Sequence, residues 1–136
     1  MSIVLGYDES PGAEHALEAA ITFALRFAEP LVLVYGAAPP GGGGEEFRSH
    51  QEALEEYGRT AISHAVERAT AAGVETETEI VTAKPANALI EVAARHDATL
   101  IVVGSHGESP IKSALLGSTP HRLLHLSTRP VLVVPA

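Results

Sequence analysis

The residues whose types and spacing are suited to chemistry lie near the end of the chain. They are Gly104-Ser105-His106-Gly107, then residues 108–116, then Gly117-Ser118-Thr119. Glycine lets the backbone turn through positive φ and brings N–H groups close to an anion. The hydroxyls of Ser118 and Thr119 can donate further hydrogen bonds, and Lys112 inside the loop can reach a terminal phosphate. A helix opening near Pro120 adds the positive end of its dipole. Together these features describe a cradle for phosphate oxygens. The competing reading is a long surface loop whose glycines only serve turns. Its length is unusual for a strand-to-helix connection, and long loops at strand ends are commonly functional. The stretch lacks the Gly-Lys-Ser/Thr of a Walker A loop. Ser105 also lacks the Gly-x-Ser-x-Gly spacing of a nucleophile elbow.

Two other sets of polar residues invite a chemical reading. Asp8 follows the first apolar run, either as a functional carboxylate or as an exposed turn residue. Seven histidines are present, of which His121 and His125 have metal-compatible helical spacing. No Glu follows His121, so the metalloprotease helix motif is absent. The remaining histidines are scattered along the helical stretches and after the glycine run. His106 differs because it lies within the cradle, where a backbone contact is expected rather than catalysis. The acidic run 52–56 reads as a solvated helix face.

These residues must be positioned by alternating elements. Residues 3–7 read as a buried strand, and Ser10-Pro11 opens a helix through Ala28 with Ser10 as N-cap. Ala16, Leu17, Ala20, Ala24 and Phe27 recur at helical spacing. Residues 31–35 form a second apolar strand, followed by a glycine-rich loop, 38–44, expected to be flexible. A long helix fits 45–72, with Phe47, Leu54, Ala61, Ala65 and Ala69 on its apolar side, interrupted at Gly58 and ended by Gly73. Residues 74–82 alternate in type, with Glu75, Glu77 and Glu79 on one face, as suits a sheet edge. Pro85 opens a third helix, 99–103 is a buried strand, and Ser118 or Thr119 caps a last helix before the strand 131–134.

The alternation predicts an α/β fold, a parallel sheet with helices on both faces. Ligands of such open sheets bind beyond the C-terminal strand ends, where strand order reverses. Here those ends are Tyr7-Asp8, Tyr35-Gly36-Ala37 and Gly104. With 136 residues the chain fits one domain, 1–136, and has no internal repeat. Its 46% hydrophobic content suits a folded globule. Three Tyr, three Phe and no Trp make a base-stacking nucleic-acid platform improbable. A net charge of −8 opposes attraction to nucleic acid and anionic membranes, but not the binding of one nucleotide by backbone N–H groups. The absence of cysteine excludes disulfides and thiolate chemistry. No apolar run approaches a membrane span, and the start lacks signal-peptide character, so a cytoplasmic location is expected.

The Gly104-x-x-Gly107-x9-Gly117-Ser118 pattern resembles the nucleotide-binding motif of the universal stress protein family. The opening Val4-Leu5-Gly6-Tyr7-Asp8-Glu9-Ser10, the following Ala16-Leu17 and the closing Arg129-Pro130-Val131-Leu132-Val133-Val134-Pro135 are similar to it too. The resemblance covers the whole chain in order. It implies a five-stranded parallel sheet in the order 3-2-1-4-5, a Rossmann-like arrangement of the adenine nucleotide alpha-hydrolase type. It also implies roles: Asp8 near ribose, phosphates and Mg²⁺, Gly6 and Tyr7 beside the nucleotide, and Gly36 and Ala37 at adenine through their backbone. Gly104, His106, Gly107, Gly117, Ser118 and Thr119 match the phosphate and ribose contacts.

The chain departs from the pattern in several places. Glu9 stands where Gly is common, which adds negative charge near the phosphates and either weakens ATP binding or helps hold Mg²⁺. Ala13 replaces a common Ser, Thr119-Pro120 replaces a more usual Val, and Ala83-Lys84-Pro85 lacks a frequent Gly. The implied function is an ATP-binding regulatory protein with slow or no hydrolysis, homodimeric through the final strand Val131–Val134. One alternative is a nucleotide-free member acting through protein contacts. Another is an adenine-nucleotide-using enzyme, for which the His-x-Gly-His and Ser-Gly-Gly-x-Asp-Ser signatures are missing.

Overall fold

A computed structural model describes residues 1–37, 44–106 and 116–136. Among the described residues nine elements alternate: β1 (Ser2–Gly6), α1 (Pro11–Phe27), β2 (Leu31–Gly36), α2 (Glu45–Ala71), β3 (Thr76–Val81), α3 (Pro85–Arg95), β4 (Ala98–Gly104), α4 (Ser118–Leu126) and β5 (Val131–Val134). The strands form one parallel sheet in the order β3-β2-β1-β4-β5.

The apolar runs of β1, β2 and β4 fill the centre because both faces of these strands are covered. Alternate side chains go to opposite sides. Ile3, Leu5, Leu31, Leu33 and Val102 pack on one face with Leu17 of α1 and Ile62 of α2. Val4, Val32, Val34, Ile101 and Val103 pack on the other with Leu89 and Val92 of α3 and Leu123 of α4. Burial of each such side chain stabilises the fold by about 1.5–3 kcal/mol.

β3 lies at the sheet edge and keeps Glu77 and Thr78 exposed. Its Glu79 bonds Arg95 at 2.8 Å and His96 at 2.6 Å. Burial alone would raise the carboxyl pKa of Glu79. The hydrogen bonds from Arg95 and His96 outweigh burial and hold it below the ordinary carboxylate range.

Several local expectations are corrected. α2 runs unbroken through Gly58. A Cβ there would stand 2.4 Å from the Tyr35 ring, so the glycine makes room for Tyr35 rather than interrupting the helix. Phe27 is not core: it is 49% exposed and stacks at a tilt on Phe23, with ring centroids 5.7 Å apart. Gly117, not Ser118 or Thr119, is the N-cap of α4. Most of the 38–44 loop, residues 38–43, lies outside the described residues. Among the described residues no helix is long and apolar enough to cross a membrane.

Candidate nucleotide site at the strand ends

The site begins where β1 and β4 end beside each other, with the first residues of α4 lining the same cavity. β4 closes at Gly104, Ser105 N–H donates to Val134 O at 2.9 Å, and Gly117 N–H donates to Ser105 O at 2.7 Å. The two limbs of the glycine loop are thereby pinned together at their base. The Gly117 N–H is thus committed within the protein. Ser118 and Thr119, as the first two residues of α4, have N–H groups without an intrahelical acceptor, and Pro120 has none to offer. Gly104 is also sterically fixed, since a Cβ there would meet the Gly12 carbonyl at 2.7 Å.

From β1 the chain turns through Asp8, Glu9 and Ser10 into α1. Ser10 caps the helix by accepting the Ala13 N–H at 3.2 Å, and its own N–H donates to Asp8 Oδ1 at 3.0 Å. From β2 come Tyr35 and Gly36. A Cβ on Gly36 would sit 2.8 Å from Ala83 O and Pro85 Cα, so only glycine fits where β2 passes the start of α3.

These ends enclose a cavity of about 470 Å³, within the range of small-molecule sites. Nine of the residues expected from the sequence lie on its wall: Gly6, Tyr7, Asp8, Gly36, Gly104, His106, Gly117, Ser118 and Thr119. Val34, Leu89, Val103 and Pro85 supply an apolar side that sequence reasoning missed, because wall positions depend on which strands become neighbours. Ala37 is not on the wall; it is buried and its N–H donates to Val81 O at 2.8 Å. Gly107 and Lys112 lie outside the described residues. His106 Nδ1 stands 3.2 Å from Ser105 Oγ.

The turn is held from behind by a stripe on α2. Tyr57 OH donates to the Asp8 carbonyl at 3.4 Å, His64 Nδ1 meets Glu9 Oε1 at 2.5 Å, and Arg68 pairs with Glu14 and Glu18. Tyr7 is buried and its hydroxyl donates to the Glu14 carboxylate. Burial, with that bond to a carboxylate, pushes the phenol above its ordinary pKa. Glu9, expected near the phosphates, instead directs its carboxylate to His64. The spacing of Tyr57, His64 and Arg68 on one helix face was the available signal for this stripe.

His121 and His125 pack edge-to-face with centroids 4.8 Å apart. Among the described residues no three His, Asp or Glu side chains group as a metal site.

The sequence profile of the Universal stress protein family matches residues 1–135. Universal stress protein MJ0531 of Methanocaldococcus jannaschii is 33% identical, the match covering 97% of this chain and 80% of that protein. The match spans only 55% and 45% of two other curated relatives. Protein MJ0577 of the same archaeon superposes with a TM-score of 0.88 at 27% identity, over 99% of this chain and 96% of that one. A universal stress protein solved in complex with cAMP gives a TM-score of 0.76 at 28% identity, covering 98% of this chain and 96% of the other. The strand order, the continuous family match and these likenesses agree, and the chain belongs to the universal stress protein family.

Proposed function

We propose that this chain binds ATP with Mg²⁺ at the β1–β2–β4 strand ends and acts as a regulatory protein through occupancy rather than turnover. The observation that carries the reading is the convergence of Asp8, Gly36, Gly104 and the α4 N-terminus on one cavity of about 470 Å³. Its two halves differ in chemistry. Val34, Leu89, Val103 and Pro85 suit the flat apolar faces of an adenine, with the Gly36 backbone at its edge. Ser118 and Thr119 offer backbone N–H groups and hydroxyls to phosphate oxygens.

Asp8 is the one carboxylate on the described wall and would share the Mg²⁺ that accompanies the phosphates. Slow or absent hydrolysis is expected, because the described wall holds no Lys or Arg to stabilise transferred charge. Binding then shifts the population of a partner-competent or dimer-competent form. Pairing of two copies through β5 fits the strand geometry. Ile101 and Ser105 N–H groups donate to Pro130 O and Val134 O, so the backbone of Val131 and Val133 faces outward at an uncovered edge.

A second reading is a preference for a smaller adenine nucleotide, favoured by the relative solved with cAMP at 28% identity. Isothermal titration with ATP, AMP and cAMP, each with and without Mg²⁺, separates the two. Saturable ATP binding that Asp8→Ala and Gly117→Ala both weaken supports the first. Tighter cAMP or AMP binding with no Mg²⁺ dependence supports the second. No binding of any of the three removes both and leaves a protein acting by contacts alone.

A further inference from the structure

Glu9 has φ of 62°, in the left-handed region that disfavours a residue with a side chain. The adjoining bonds make this conformation matter. The Ser10 N–H is, among the described residues, the donor to the Asp8 carboxylate, at 3.0 Å. Ser10 is attached directly to Glu9, so rotating Glu9 into the right-handed region swings that N–H away from Asp8. A residue with a side chain meets a steric cost in this region, which contacts around the turn can offset. The structure offers one device for this: His64 Nδ1 lies 2.5 Å from Glu9 Oε1, across 55 positions of sequence, while Tyr57 OH grips the carbonyl of Asp8. Arg68, one turn beyond His64, is occupied by Glu14 and Glu18.

We propose that His64 is a positioning residue for Asp8: by capturing the Glu9 carboxylate from α2, it holds a strained turn in the arrangement that presents Asp8 to the cavity. Glu9 and His64 thus form one functional unit, in which the histidine makes a non-glycine residue workable at a glycine-like position. This deepens the nucleotide reading and rests on it for its effect on affinity, but the positioning itself is a property of the free protein.

The test is a cycle of His64→Ala, His64→Gln, Glu9→Gly and the double variant Glu9→Gly/His64→Ala. In the free protein, the ¹⁵N–¹H resonance of Ser10 reports the bond to Asp8. His64→Ala is expected to shift it and speed its hydrogen exchange in the native background. His64→Gln, which can still donate to Glu9, is expected to restore part of the effect. In the Glu9→Gly background His64→Ala is expected to change nothing, because glycine adopts this φ without a restraint. ATP affinity measured on the same proteins should fall about three- to five-fold for His64→Ala alone, as the fraction of competent turns falls. Equal effects of His64→Ala in the native and Glu9→Gly backgrounds overturn the proposal, as does an unmoved Ser10 resonance. If the native chain fails to bind nucleotide, the function reading falls while the Ser10 measurements still decide whether His64 holds the turn.

Discussion

Gly12, in the first turn of α1, carries a sharp expectation. A Cβ built on it would lie 2.3 Å from the carbonyl oxygen of His106, about 1 Å closer than an ordinary contact. The obstacle is backbone, so no side-chain rotation relieves it. A Cβ on the neighbouring Gly104 would likewise meet the Gly12 carbonyl, at 2.7 Å, so backbone faces backbone here and α1 would have to move away from the segment that follows β4. Gly12→Ala is therefore expected to cost about 2 kcal/mol as overpacking. That lowers Tm by about 5–10 °C in a chain of this size. Because the displaced atoms line the cavity wall, ATP affinity should fall by about ten-fold or more, as a misplaced contact loses its geometry.

Gly73→Ala is the matched comparison. Gly73 has φ of 85° but open space around it, so alanine there costs about 1 kcal/mol of backbone strain far from the site. Thermal melts and calorimetric titrations of both variants decide the matter. Loss of stability in both with loss of binding only in Gly12→Ala is the expected result. Native-like binding by Gly12→Ala would refute the reasoning that this close approach shapes the cavity.

Other expectations follow from the same contacts. Ser10→Ala removes the N-cap bond to the Ala13 N–H and should cost about 1 kcal/mol, read as a lower urea midpoint with unchanged slope. Glu79→Gln should lower Tm at neutral pH. The folded pKa of Glu79 is depressed, so its contribution is present above the unfolded carboxyl value of about 4.3 and is lost as pH falls through the folded value. The melts of the native chain and of Glu79→Gln should accordingly converge in acid, and a constant difference from about pH 7 down to about pH 3 would contradict that sign. Tyr7→Phe deletes the buried hydroxyl that donates to Glu14 and should destabilise by about 1 kcal/mol while Arg68 keeps Glu14 paired. Val133→Pro removes an outward-facing N–H of β5 without touching the inner ladder, so on the proposed pairing of two copies through β5 sedimentation should show a folded monomer for this variant against a dimer for the native chain.

Much of this architecture was legible in the residues. Continuous apolar runs such as 31–35 and 99–103, separated by helical periodicity, dictate strands covered on both faces, and hence a parallel sheet. Ser10-Pro11 states the start of α1 through local chemistry alone, and the alternating glutamates of β3 announce an edge. The glycines at 104 and 117 mark a turn beside a strand end and a helix start, so the place of the cavity could be read as well.

What the sequence left open are contacts between residues far apart along the chain. Gly58 looked like a helix break because local propensity is all a sequence displays; the packed Tyr35 ring gives it another purpose. Nothing local to α1 marks Gly12, and only the nearness of the His106 carbonyl leaves no room for a side chain there. Glu9 looked like a charge beside the phosphates, and the fold turns it toward His64 instead. Local patterns determine which elements form and which faces they bury, because those preferences act within a few residues. Only the docking of α1 and α2 against the sheet decides which atoms meet across it, since packing couples every such distance to the whole chain at once.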